Sequence, residues 1–101
     1  MKDRLEIKNL DSLYEAILCL QNIEECRLFF KDLCTIPELK ALSQRYQVAR
    51  MLTQNYVYND IVSETGASTA TISRVNRSLS YDGAGGYSIV FDRLDEKKDN
   101  E

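Results

Sequence analysis

The feature that most restricts how this chain can fold is one glycine, Gly66, set inside the segment YNDIVSETGASTATISRVNRSL, residues 58 to 79. Ahead of it, Ile61 and Val62 predict a short helix. Behind it, Ile72, Val75 and Leu79 recur at spacings of three and four, which returns them to one face of a second helix. Glycine adopts positive φ at little steric cost, so Gly66 predicts the turn between the two, and Ser68 is placed to cap the helix that follows. The other face of that helix carries Thr69, Ala70, Ser73, Asn76 and Arg77.

A support helix, a glycine turn and a second helix with aliphatic side chains on one face and small polar ones on the other make a helix-turn-helix, expected over about residues 57 to 80. Small residues at the helix start matter because a DNA major groove is only about 12 Å wide. Ser68, Thr69, Ala70 and Thr71 fit that limit. Their hydroxyls can donate to or accept from base edges and phosphates, and Ala70 and the threonine methyls can meet a thymine methyl. Arg74 and Arg77 lie further along, suited to phosphates or a guanine, and the helix N-terminus favours a phosphate. The same pattern also joins helices in proteins that never meet DNA, so alone it leaves both readings open.

The rest of the chain reads as helical. Leu10, Leu13, Tyr14, Ile17, Leu18 and Leu20 predict a first helix with Asn9 or Asp11 as its cap. A second is expected from about Asn22, with Ile23, Cys26, Phe29, Phe30 and Leu33 facing inward. Thr35, the sole proline Pro37 and Glu38 mark the start of a third, which runs to about Thr53 on Leu39, Leu42, Tyr46, Ala49 and Leu52. Gly83, Gly85 and Gly86 predict a flexible turn before a short amphipathic helix or strand bearing Ile89, Val90, Phe91 and Leu94. Residues 95 to 101 are expected as a frayed, solvated end.

A chain of 101 residues suits a single domain, and one this small gains from sharing its core with a second copy. Cys19, Cys26 and Cys34 form no Cys-x-x-Cys pair and the chain has no histidine, which removes zinc fingers, thioredoxin-like motifs and histidine-based catalysis. Buried thiols in a reducing compartment are the expectation, with no metal. Apolar runs are too short for a membrane span, and the opening Met1 to Lys8 lacks the apolar core of a signal peptide, so a cytoplasmic location is expected. The net charge of −3 hides its distribution, because residues 66 to 80 hold two arginines and no acid. Phosphate contacts depend on charge at the docking face, so an acidic total does not exclude DNA. No paired carboxylates, metal-ligand set or phosphate-cradling glycine loop points to an enzyme.

The run from Thr35 to Leu79 resembles the tryptophan repressor family, and most closely its YerC/YecD-type branch. The strongest match is GASTATISRVNRSL, residues 66 to 79, with ATISR, Ala70 to Arg74, its most specific part, and PELKALSQRYQVARML, residues 37 to 52, is similar to the helix that precedes the reader. The resemblance implies an all-α, TrpR-like intertwined homodimer presenting two reading heads to double-stranded DNA, with half-sites of a palindrome roughly 34 Å apart. It places base contacts on Thr69, Ala70, Thr71 and Ser73, with Tyr58 and Asn59 at the start of the support helix. The repressor's amino-acid pocket maps onto Thr35, Arg45, Arg74 and Ser78 as candidate effector-binding residues. Val75, however, stands where the repressor has a glycine against the indole ring. Its two methyl groups fill that space, so a different small-molecule corepressor, or no cofactor at all, is expected rather than tryptophan.

The expectation is therefore a homodimeric, sequence-specific transcription regulator of repressor type. The competing reading is a helical dimeric interaction protein that keeps the fold without reading sequence.

Overall fold

The computed structural model describes residues 2 to 81 and 83 to 100, with side chains from residue 9 onward. Among the described residues there are six helices and no strand: α1 Lys2–Leu18, α2 Ile23–Leu33, α3 Ile36–Thr53, α4 Tyr58–Thr65, α5 Thr69–Ser80 and α6 Gly86–Asp99. None of these helices is long and apolar enough to cross a membrane. The chain divides into two compact units, one ending at Leu39 and one beginning at Lys40.

In the first unit, α1 starts at Lys2 rather than at a cap on Asn9 or Asp11. The upstream stretch KDRLEIK is rich in good helix formers, so the helix propagates back past both residues. Its last turn tightens, with the Cys19 and Leu20 N–H groups donating to the carbonyls of Ala16 and Ile17, each at 3.1 Å. Helix α2 starts close to where it is expected, with Asn22 as its cap. Its Oδ1 accepts from the Glu25 N–H, while Glu25 Oε1 accepts from the Gln21 N–H, both at 2.9 Å. Thr35 and Glu38 close a capping box at the start of α3: the Thr35 N–H donates to Glu38 Oε1 at 2.8 Å and the Glu38 N–H to Thr35 Oγ1 at 3.3 Å. The Thr35 N–H, and after it the Thr35 hydroxyl, donate to the Glu38 carboxyl and hold it below its ordinary pKa.

The inward face expected on α2 is not buried within the single chain. Phe29 and Phe30 are half-buried and meet edge to face at 5.7 Å, but Ile23 is 69% exposed and Leu33 48%, and Leu18 at the end of α1 is 83% exposed. Cys19 and Cys26 are also exposed and Cys34 is half-buried, which corrects the expectation of buried thiols. The reason is one of area, since two helices and one turn of a third cannot enclose a core of their own.

The second unit does enclose one. Val48 and Ala49 of α3, Ile61 of α4, Ala67 of the following turn, Ile72 and Val75 of α5 and Phe91 of α6 are all buried, with Met51, Leu52, Tyr58, Leu79 and Tyr87 around them. The α3 C-terminus closes in a Schellman motif. The Tyr56 N–H reaches the Met51 carbonyl and the Asn55 N–H that of Leu52, each at 3.1 Å, and Asn55 takes the left-handed position at φ +67°. Asparagine tolerates that conformation better than most non-glycine residues.

The C-terminal segment differs from expectation. It is a helix through Asp99, not a short element with an end that frays from Asp95, while Glu101 lies outside the described residues. Phe91 explains its attachment: the ring stacks on Tyr87 at 5.8 Å, tilts against Tyr46 at 5.6 Å and lies 4.8 Å beneath the Arg50 guanidinium. Arg50 also binds Asp95 one turn on. That hydrogen bond lowers the Asp95 pKa and raises that of Arg50. The preceding turn is built to a shape as well, since a Cβ on Gly83 would overlap the Ser78 carbonyl.

Candidate nucleic-acid interface

Helix α4 ends as its sequence demands. Gly66 takes φ +71° and its N–H closes on the Val62 carbonyl at 2.9 Å. Thr65, just before it, is held on three sides. Its hydroxyl donates to the Ile61 carbonyl at 2.7 Å and accepts from the Ala67 N–H at 3.1 Å. Its carbonyl accepts from Gln44 Nε2 of α3, also at 3.1 Å. All three bonds are partly shielded from water, and Ala67 is itself buried. The turn is thereby tied both to the helix it leaves and to α3.

Helix α5 starts immediately afterwards. Ser68 caps it, with Oγ accepting from the Thr71 N–H and lying 3.1 Å from Thr71 Oγ1. Ile72 and Val75 are buried against the core and Leu79 packs at its edge, so the aliphatic face is pinned as the spacing predicts. Thr69, Ala70, Ser73, Arg74, Arg77 and Ser78 are exposed, while Thr71 is half-buried. Two rows run along the outside: Thr69 and Ser73 lie one turn apart, and so do Ala70 and Arg74, with Arg77 continuing that line. Because the Ser68 and Thr71 hydroxyls engage one another, Thr69 and Ser73 supply the hydroxyls directed outward.

The support helix contributes unequally. Asn59 is exposed at its start, whereas Tyr58 is half-buried and spends part of its ring on the core. Asp60 and Glu64 on α4 balance Arg74 and Arg77 in formal charge, so the two helices together are neutral. A neutral pair of helices attracts phosphate less strongly than a basic pair.

The four candidate effector residues fall in different settings. Thr35 belongs to the first unit, and its hydroxyl is engaged with Glu38 at 3.0 Å. Arg45, Arg74 and Ser78 are exposed side chains of the second unit. Ser78 lines a cavity of about 600 Å³ with Tyr46, Leu79, Tyr87, Val90 and the α5–α6 turn, and neither Arg45 nor Arg74 lines it. Val75 is buried in the core. Sequence reasoning missed Gln44 and Thr65, because their bond spans 21 positions and neither residue type marks its partner.

A support helix, a glycine turn and a capped helix held by its aliphatic face with its small polar face outward have the build of a helix-turn-helix, the unit that a large class of DNA-binding regulators uses. The comparisons narrow the class. The family model for Trp repressor protein matches residues 8–95, and the chain belongs to the Trp repressor family, a family of regulators rather than enzymes. It is 53% identical over 94 residues to the protein YerC of Bacillus subtilis (strain 168), covering 93% of this chain and 89% of that one. Among solved structures it is similar to a TrpR-like protein from Eubacterium eligens ATCC 27750, with a TM-score of 0.84, 52% identity and coverage of 91% of this chain and 94% of that one. It is also similar to a Staphylococcus aureus protein provisionally described as a Trp repressor, with a TM-score of 0.83, 55% identity and 87% coverage of both chains.

Proposed function

We propose that this protein is a cytoplasmic, sequence-specific transcription regulator of repressor type that acts as a homodimer on palindromic operators. The observation that carries the reading is α5: Ile72 and Val75 lock it to the core while Thr69, Ala70, Ser73 and Arg74 stand exposed along its outer side. Thr69, Ala70 and Ser73 read base edges at the helix start, Arg74 and Arg77 bind phosphate or guanine, and Asn59 at the start of α4 adds a flanking contact. The exposed apolar residues of the first unit, Leu18, Ile23, Leu33 and Ile36 among them, supply the surface a second copy covers. Two readers related by a dyad then meet successive major grooves on one side of the duplex.

The regulator proposed here does not use tryptophan as its corepressor. The family resemblance puts Val75 where an indole would lie, so an effector at Arg45, Arg74 and Ser78 is a different small molecule, or there is none.

The test is selection of bound duplexes from a random library at fixed salt, with and without added L-tryptophan. The expected outcome is enrichment of one two-fold symmetric site, unchanged by tryptophan. A pool no richer than the input after several rounds, from a protein that still dimerises, would contradict the reading and favour an interaction protein.

A further inference from the structure

We infer that Gln44 is a positioning residue for the reading helix: its side-chain amide, bonded to the Thr65 carbonyl at the α4–α5 turn, sets the angle at which α5 meets DNA. The inference rests on the DNA-reading function proposed above and adds to it a part played by a residue outside the two reading helices.

The last carbonyls of any helix lack intrahelical partners, and a carbonyl that is partly buried needs one. The α4 terminus meets this need at Thr65 through a side chain of another helix, the Gln44 amide at 3.1 Å. The Thr65 hydroxyl meanwhile ties Ile61 to Ala67. Gln44 therefore holds a residue whose other contacts define the turn, and α5 begins three residues after Gly66.

Leverage turns this local bond into a functional one. A helix of 12 residues is about 18 Å long, so a tilt of about 10° at its start moves its far end by about 3 Å. That exceeds the tolerance of a hydrogen bond. Ile72 and Val75 fix the face that α5 buries, but contacts of dispersion type are non-directional and set the tilt of the helix less sharply than a hydrogen bond does. The directional restraint between α3 and the turn is the Gln44 amide. Neither Gln44 nor Thr65 carries charge, so the restraint is insensitive to salt and to pH near neutrality.

The test compares the full-length wild type with Gln44→Met, which keeps length and volume but removes the donor, and with Gln44→Glu, which sets a carboxylate against the carbonyl. Amide hydrogen exchange at Ala67 is measured on free protein, and affinity is measured for the selected duplex and for a scrambled one at the same salt. The expected result is Ala67 exchange at least tenfold faster in both variants, unchanged dimer mass, and a loss of about tenfold or more in the ratio of specific to non-specific affinity. A merely structural role would lower the melting temperature and leave that ratio intact at temperatures where the variant is folded, which would overturn the inference. Unchanged Ala67 exchange would overturn it too, whatever the DNA result. If the wild type itself prefers no duplex, the proposed function has failed and the positioning role fails with it, while faster Ala67 exchange would still report the restraint on the turn.

Discussion

Each residue of α5 has a job set by the face it occupies. Ser68 satisfies the Thr71 N–H at 3.1 Å, an orphan donor at the helix start. Ser68→Ala should cost about 1 kcal/mol, read as a lower urea midpoint with an unchanged slope. Arg74 is exposed and its charge is its chief asset there. On the proposed function Arg74→Ala would remove one phosphate contact from each reader of the dimer, so the slope of log affinity against log salt should flatten by about two. A slope unaltered by the substitution would place Arg74 away from the backbone. The Ser68 cap and the buried face of α5 are legible in the sequence because caps and amphipathic spacing act over three or four positions, the range that a local pattern records.

At the scale of elements, the same logic explains what the sequence concealed. Helix α6 resembled a solvated tail because its residues beyond Leu94 are nearly all charged or polar. One of them, Asp95, meets Arg50 across 45 positions, and Phe91 supplies the apolar anchor a turn earlier. Helix α1 is longer than its apolar spacing predicts because that series thins upstream, while propensity alone carries the helix back to Lys2. The Asp95 carboxyl has a folded pKa depressed by its bond to Arg50. Its contribution to α6 docking is therefore complete above the unfolded carboxylate pKa, about 4, and is lost as pH falls through the lower folded value. Asp95→Asn should remove that acid-side loss and leave α6 less firmly docked at pH 7. Amide exchange along α6 at pH 7 and pH 3 measures both effects, and identical profiles in the wild type and variant would refute the role of the pair.

For the whole molecule, the contrast between the two units sets the argument. The second encloses a core from four helices, while the first exposes Leu18, Ile23 and Ile36 at 83, 69 and 70% of their surfaces. Apolar area of that kind is costly to leave in water, and in the proposed homodimer a second copy of the same chain would remove it by symmetry. Sedimentation equilibrium should give twice the mass of one chain, and Leu18→Asp with Ile23→Asp should shift the species toward the monomer. The face of α2 that its spacing marks as inward is apolar, but a single chain does not bury it. Sequence periodicity reports which face wants to be covered and is silent about which molecule covers it.

The central claim is that α5, presented twice, reads the bases. Changing one reading residue should therefore change what is read. Selection from a random duplex library with Ala70→Gln, beside the wild type at the same salt, tests this most directly, since glutamine can pair with adenine where alanine offers only a methyl contact. The account predicts a symmetric site altered at two dyad-related positions and unchanged elsewhere. An identical site from both proteins would contradict it, because a residue on the reading face of α5 would then have no part in reading.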